Sequence, residues 1–252
     1  AVMVSGWAFV DASIQGDVLT RAGALTIAGA ESRVATGEPH APDTADSLVS
    51  MNVLAVSDPA VFGKNVKDGI AVLNTAVTTG NPPQGKAYVF PVMMEARRLT
   101  ESPVIVSERD ISAESNPGPR AKFFTDSVGV GFHPMSVRGS DGSLTVIPTN
   151  PFQIPLGALA PKNLDNLFAG GLNIGMTRVA STAFTNSQTE WAIGEAAGMA
   201  ASFCGGLKQS IHAVLGDPSN VRQIQNLMVK RLGAPIYWYD NVKSGDPGFD
   251  EA

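Results

Sequence analysis

One cysteine, Cys204, stands in 252 residues, so no internal disulfide can form. It lies in an apolar run, Ala201-Ser202-Phe203-Cys204, and reads as a buried structural thiol rather than a nucleophile. Histidine is also scarce. His40, His133 and His212 are at no spacing that suits a metal, so no metal site is expected. No apolar run reaches the length of about 18 residues that a membrane-spanning helix needs. Charged residues make up 16% of the chain, net charge is −5, and no long block of either sign occurs. That balance excludes the basic footprint of a nucleic-acid or anionic-membrane binder. Ser13 has neither a neighbouring histidine nor a Gly-x-Ser-x-Gly elbow, which removes the hydrolase reading. No repeat of fixed period is present. What remains is 44% hydrophobic residues, a globular composition with enough chain for a sizeable core.

The most informative stretch runs from Asn163 to Ala201. An apolar strand, Leu167-Phe168-Ala169, meets a glycine turn, Gly170-Gly171. A polar loop then leads into a helix expected to begin near Thr189 or Glu190, built from Gly194, Ala196, Ala197, Gly198, Ala200 and Ala201. Glycine costs a helix about 1 kcal/mol relative to alanine. Two glycines among alanines therefore point to close approach of another backbone or of a flat ligand. Taken alone, the helix fits ordinary packing on a sheet as well as it fits a cofactor.

Elsewhere the chain reads as two α/β pieces around a β-rich middle. Ala8-Phe9-Val10 reads as a short buried strand, and residues 18–24 as a helix start. "SLVSMNVLAV" reads as a strand, and Asp58-Pro59 opens a helix expected to run to Val77. From Lys86 to Pro155 short apolar runs alternate with turn residues, among them "AYVFPVMM", "SPVIVSERDI", "DSVGVGFHPMSV", "GSLTVIPTN" and "FQIPLGAL". A last amphipathic helix opens at Asp217-Pro218, closes at Gly233, and sets Val221, Ile224, Met228 and Leu232 on one face. The expected layout is a nucleotide-binding piece over 1–35, a β-rich insert with a helical segment over 36–160, a return over 161–210, and a C-terminal helix and tail over 211–252. The chain opens on Ala1 within an apparent strand and ends beside Asp246-Pro247, a helix-start signal. It reads as a piece of a longer protein.

"FVDASIQGDVLTRAGA" and "IPLGALAPKNLDNLFAGGLNIGMTRVASTAFTNSQTEWAIGEAAGMAA" together resemble FAD-dependent oxidoreductases of the glutathione-reductase-like flavoprotein superfamily. "GAES", "EARRL", "FTDSVGVGFHPMSV" and "PIYWYDNV" are similar, in order, to a bacterial branch of it. The resemblance implies an α/β fold: part of a split FAD/NAD(P)-binding Rossmann-like domain with an inserted β-rich substrate domain. It implies FAD as cofactor and a small-molecule substrate. The family's strand–GxGxxG–helix is absent; the nearest match, Gly129-Val130-Gly131, precedes Phe-His-Pro. Without that phosphate loop, the chain alone is expected to bind FAD weakly or not at all.

By the same resemblance, Asp11, Ala12 and Ser13 match the strand end beneath the FAD, with Gly16 and Asp17 in the next turn. Gly170 and Gly171 match the turn near the ribityl chain. Glu190, Gly194 and Ala197, with Trp191, Glu195, Ala196 and Gly198, match the helix against the flavin. A helix N-terminus there favours the negative charge of reduced flavin. Where that family commonly has His, Arg, and Lys or Arg, this chain has Arg178, Thr185 and Leu172. Arg178 is the candidate catalytic cation, though not a proton carrier. The second catalytic candidate is His133, read on a β-strand as an acid or base, against the plainer reading of a strand histidine with one hydrogen bond.

The remaining polar residues take plainer readings. His40 reads as a surface loop residue and His212 as structural. Arg97-Arg98 could grip a carboxylate, but an ion pair with Glu95, Glu101 or Glu108 is the favoured reading. Asp11 and Asp17 are expected to bind backbone N–H groups or a ribose. The expected function is hydride transfer between an organic substrate and flavin. The alternative is a non-catalytic binding or cell-surface scaffold on a degenerate flavoprotein fold. A carbohydrate-binding β-domain would account for the middle of the chain but not for the Gly/Ala helix.

Overall fold

The computed structural model describes residues 3–13, 15–45, 53–57, 87–91, 97–138 and 144–238. The first elements are β1 (Phe9–Asp11), α1 (Asp17–Arg21), β2 (Thr26–Ile27), α2 (Arg33–Thr36), β3 (Val53–Ser57), β4 (Ala87–Pro91), β5 (Arg98–Leu99) and α3 (Glu108–Ile111). Then come β6 (Ser127–Gly131), β7 (Met135–Arg138), β8 (Leu144–Ile147), β9 (Phe152–Pro155) and β10 (Leu167–Ala169). The chain continues through α4 (Arg178–Ser181), α5 (Ser187–Leu207), α6 (Ile211–Leu215) and α7 (Pro218–Leu227). The expected helix from Asp58 to Val77 lies outside the described residues. Contacts divide the chain into two units, residues 1–47 with 96–252, and residues 48–95. Within the second, β3 and β4 pair antiparallel, from Val53 opposite Pro91 to Ser57 opposite Ala87.

In the first unit, β1 and β10 pair in parallel, with Phe9 opposite Leu167, Val10 opposite Phe168 and Asp11 opposite Ala169. This joins the two segments that the sequence set at opposite ends of the insert. β1 is not the buried strand expected: Phe9 and Val10 are 36% and 38% exposed. Among the described residues β10 is its one neighbour. β6 pairs antiparallel with β9, and β7 with β8. The run "SPVIVSERDI" is not a strand. Val106 makes one isolated bridge to Met176, and Ser107 then caps α3 in a capping box with Asp110.

The core lies between these strands and α5, a helix of 21 residues. Its Ile193, Ala196, Ala197, Ala200 and Cys204 are buried, and Phe152 packs on Phe184 with ring centroids 4.7 Å apart. Cys204 is an unpaired thiol, and burial pushes its pKa up to about 11, which makes it inert at neutral pH. α5 starts two or three residues earlier than expected. Asn186, whose side chain accepts the Thr189 N–H at 2.9 Å, is the cap. β6 crosses this helix closely. An added Cβ at Gly129 would lie 3.3 Å from Ala192 Cβ, and one at Gly131 2.8 Å from Thr189 Oγ1. The Gly-Val-Gly run is thus a strand–helix contact, not a phosphate loop. At the C-terminal end α7 passes into a π turn over Met228–Leu232. The wider turn shifts the phase of the apolar face, so Val221, Ile224 and Met228 are buried while Leu232 is 44% exposed.

Candidate functional site

At the end of β1 the chain turns through Asp11, Ala12 and Ser13. Asp11 is buried, and its Oδ1 accepts from the Ser13 N–H at 2.9 Å and the Ser13 hydroxyl at 2.6 Å. Its Oδ2 accepts from the Leu19 N–H at 2.8 Å, inside α1. The carboxylate is therefore committed to the turn itself, the backbone option of the two expected. Ser13 Oγ in turn accepts the Asp17 N–H at 2.9 Å. Gly16 has φ +68°, and an added Cβ there would meet Arg97 O at 3.1 Å. Only glycine sits there without strain. Asp17 is exposed and pairs with Arg97 at 3.5 Å.

This turn is fastened to the glycine turn after β10. The Asp11 carbonyl accepts both the Gly170 N–H at 2.9 Å and Asn173 Nδ2 at 3.0 Å. Asn173 Oδ1 accepts the Gly171 N–H at 3.1 Å. Asn173, fully buried, is a clamp that the sequence reading missed; its one signal is an asparagine directly beyond Gly-Gly-Leu. An added Cβ at Gly170 would lie 2.5 Å from Val10 Cγ1 and 3.6 Å from Ala197 Cβ, and one at Gly194 3.9 Å from Gly170 O. The structure thus gathers Asp11, Ser13, Gly16, Asp17, Gly170, Gly171, Gly194 and Ala197 about one pair of turns, with Ala12 exposed between them. Glu190 stands exposed one helical turn before Gly194.

A planar cofactor fits this surface. Gly194 and Gly198 present an exposed, side-chain-free strip on α5, and an added Cβ at Gly198 would meet nothing within 4 Å. The strip begins about two turns into α5, beyond the first turn, where the helix dipole favours negative charge. On the other flank of the same helix lies a cleft of about 700 Å³, lined by Phe132, His133, Gln188, Trp191, Glu195 and Trp238 among others. His133 is not on a strand, because β6 ends at Gly131 and β7 begins at Met135. Its Nδ1 lies 2.9 Å from the Pro134 carbonyl. A carbonyl only accepts, so Nδ1 carries the proton, and in the neutral ring Nε2 is left as a base.

A third cluster is buried. Arg98 is fully enclosed and pairs with Glu31 at 3.1 Å. Glu31 Oε2 accepts the backbone N–H of Arg178 at 2.9 Å; Arg178 itself is buried in α4. Beside it, Glu38 Oε1 accepts the Glu108 N–H at 2.6 Å and the Thr177 hydroxyl at 2.5 Å. Glu108 holds half-buried His40 through Nδ1 at 2.5 Å, so His40 is tied down rather than free on the surface. His212 Nε2 lies 3.1 Å from the Pro161 carbonyl. Among the described residues no group of three or more His, Cys, Asp or Glu could hold a metal, and no helix is long and apolar enough to cross a membrane.

Glu38 is 1% exposed, and its Oε2 has no hydrogen-bond partner among the described residues. Burial holds its carboxyl pKa above the ordinary glutamate value, against the pull of its hydrogen bonds. The folded state therefore keeps this proton at pH values where the unfolded chain has lost it. Its contribution to stability is full below the unfolded glutamate pKa and falls as pH rises through the folded one. Glu38→Gln is neutral throughout. Urea midpoints of the two proteins, taken at about pH 5 and about pH 8, are expected to shift in the variant's favour at the higher pH. A difference between the two that does not change with pH would show Glu38 to be ionised in the fold.

The model of the family described as FAD dependent oxidoreductase matches residues 93–228, more than half of the chain. The chain belongs to this family. The match takes in Gly170, Gly171, Arg178, Glu190, Gly194 and Ala197, as well as His133. Asp11 to Asp17 precede it. FAD is accordingly the cofactor, and the chain is of the FAD-dependent oxidoreductase class. Neither the curated proteins nor the solved structures contain a match.

Proposed function

We propose that this FAD-dependent oxidoreductase exchanges a hydride between an organic small molecule and its flavin. In this proposal β1, β10 and α5 form part of a split, Rossmann-like FAD domain and the β-rich middle is the insert. FAD, when bound, supplies the two-electron chemistry. The protein supplies position and field. The paired turns at Asp11–Asp17 and Gly170–Gly171 shape one wall, and the Gly194–Gly198 strip leaves room for a flat ring. The N-terminal turn of α5 offers a positive dipole end to developing negative charge. His133 Nε2 is the group for holding or moving a proton, and Arg178 is the fixed positive charge.

The observation that carries this reading is the packing of Gly194 over the Gly170 carbonyl at the 3.9 Å Cβ distance, beside an exposed strip without side chains. Gly194→Ala has room and should retain flavin. Gly194→Leu should weaken FAD binding by about 1–3 kcal/mol, or roughly five- to 150-fold. Flavin absorbance of the purified full-length protein, with apo-protein melting followed in parallel, separates a blocked site from a damaged fold. Unchanged affinity in Gly194→Leu would make the strip ordinary surface.

A further inference from the structure

The cleft on the far flank of α5 has a composition that selects its ligand. Phe132, Trp191 and Trp238 are exposed aromatic side chains around it, with Phe132 and Trp238 edge to face at 5.3 Å. Trp191, 71% exposed, stands on the ridge of the helix. At 100° per residue, Gly194 lies about 60° to one side of it and Glu195 about 40° to the other, so the glycine strip and the cleft adjoin along Trp191. Among the described residues no lysine or arginine lines the cleft, and Glu195 is its one acidic side chain. A carboxylate or phosphate ligand would find no cation and would meet Glu195. An organic cation would pair with Glu195 but would face the positive end of α5 at Ser187 and Gln188, so the cleft holds groups of both signs. A neutral ring with apolar C–H faces and peripheral hydroxyls satisfies all of these groups. Its faces lie on the indoles, and its hydroxyls pair with the Gln188 amide, the Glu195 carboxylate and His133. The size is that of a small-molecule site.

We infer that this cleft is the substrate site and that it takes a neutral carbohydrate ring. The inference rests on the oxidoreductase reading for the word substrate, and on the cleft alone for the ligand class. The test uses the full-length holoprotein, titrated with methyl glucoside, gluconate and glucosamine, with tryptophan fluorescence and calorimetry as readouts. Methyl glucoside is expected to bind saturably and at least roughly tenfold more tightly than either charged analogue. Trp238→Ala should lower that affinity about tenfold or more while retaining flavin, and Trp7→Ala, whose indole lies under Lys208, should not change it. No saturable binding, a preference for gluconate or glucosamine, or full affinity in Trp238→Ala would overturn the carbohydrate assignment with flavin still bound. A holoprotein that binds the sugar but whose purified form carries no flavin would overturn the oxidoreductase reading instead.

Discussion

Replacing Arg98 with methionine is expected to destabilise the protein by about 3–5 kcal/mol, the cost of breaking a buried ion pair from one side. Arg98 is fully enclosed, with Nη2 donating to the Gly29 carbonyl at 2.6 Å and to Glu31 at 3.1 Å, and Nε donating to the Met176 carbonyl at 3.2 Å. Methionine fills much of the same volume but gives nothing back to two carbonyls and a carboxylate. Lysine should not rescue the loss, because one ammonium cannot reproduce the planar fork. Removing the stranded charge as well, in Arg98→Met with Glu31→Gln, should recover a large part of it. Urea unfolding of the two single variants and the double variant gives the coupling directly. Additive single effects, with no recovery in the double variant, would mean that Glu31 is not the partner that matters. The outcome also bears on the site: Arg98 and Arg178 converge on Glu31, so loosening one end of this cluster should disturb the other.

The sequence made the strand–turn–helix around Gly170 legible because its signals are local. An apolar triplet, two glycines and a Gly/Ala helix lie within one short stretch. That residues 8–13 and 166–171 are strands of one sheet was also readable, from two short strands each ending in a turn of small residues; their direct parallel pairing was not. Partners across long separations were not readable. Arg98 lies beside acidic residues in sequence, yet pairs with Glu31, which the chain brings in only by folding. Burial of β1 was overread for a related reason: apolar content marks what a strand can bury, not whether a neighbour is present to cover it. Two misses had signals at hand. Ser107 and Asp110 spell a capping box inside what read as a strand, and Phe132-His133-Pro134 interrupts one apolar run with a proline, which breaks the ladder. The π turn after Leu227 had no such signal, since its sequence continues the helical spacing.

Gly175→Ala is expected to cost about 3 kcal/mol, the upper end of overpacking, although alanine adds a single methyl group. Its Cβ would lie 2.0 Å from Ser102 Oγ, 2.6 Å from the Val104 carbonyl oxygen and 3.1 Å from Ile105 Cδ1. The serine hydroxyl could swing aside only by giving up its 2.6 Å bond to Val104 O. The carbonyl itself is backbone and has no such freedom. Nor can Gly175 retreat, because its N–H donates to Ala158 O at 2.7 Å and its carbonyl accepts the Val106 N–H at 3.0 Å. Strain must therefore pass along the segment that links the Asn173 clamp to Thr177 and Arg178. Flavin affinity should fall together with the melting temperature, unlike in Gly194→Leu, where affinity falls and apo-protein melting changes less. Adding Ser102→Ala should relieve only part of the loss. Full rescue by that second substitution would assign the limit to the hydroxyl rather than to the Val104 carbonyl, and an unchanged melting temperature in Gly175→Ala would show that the 102–105 segment yields without cost.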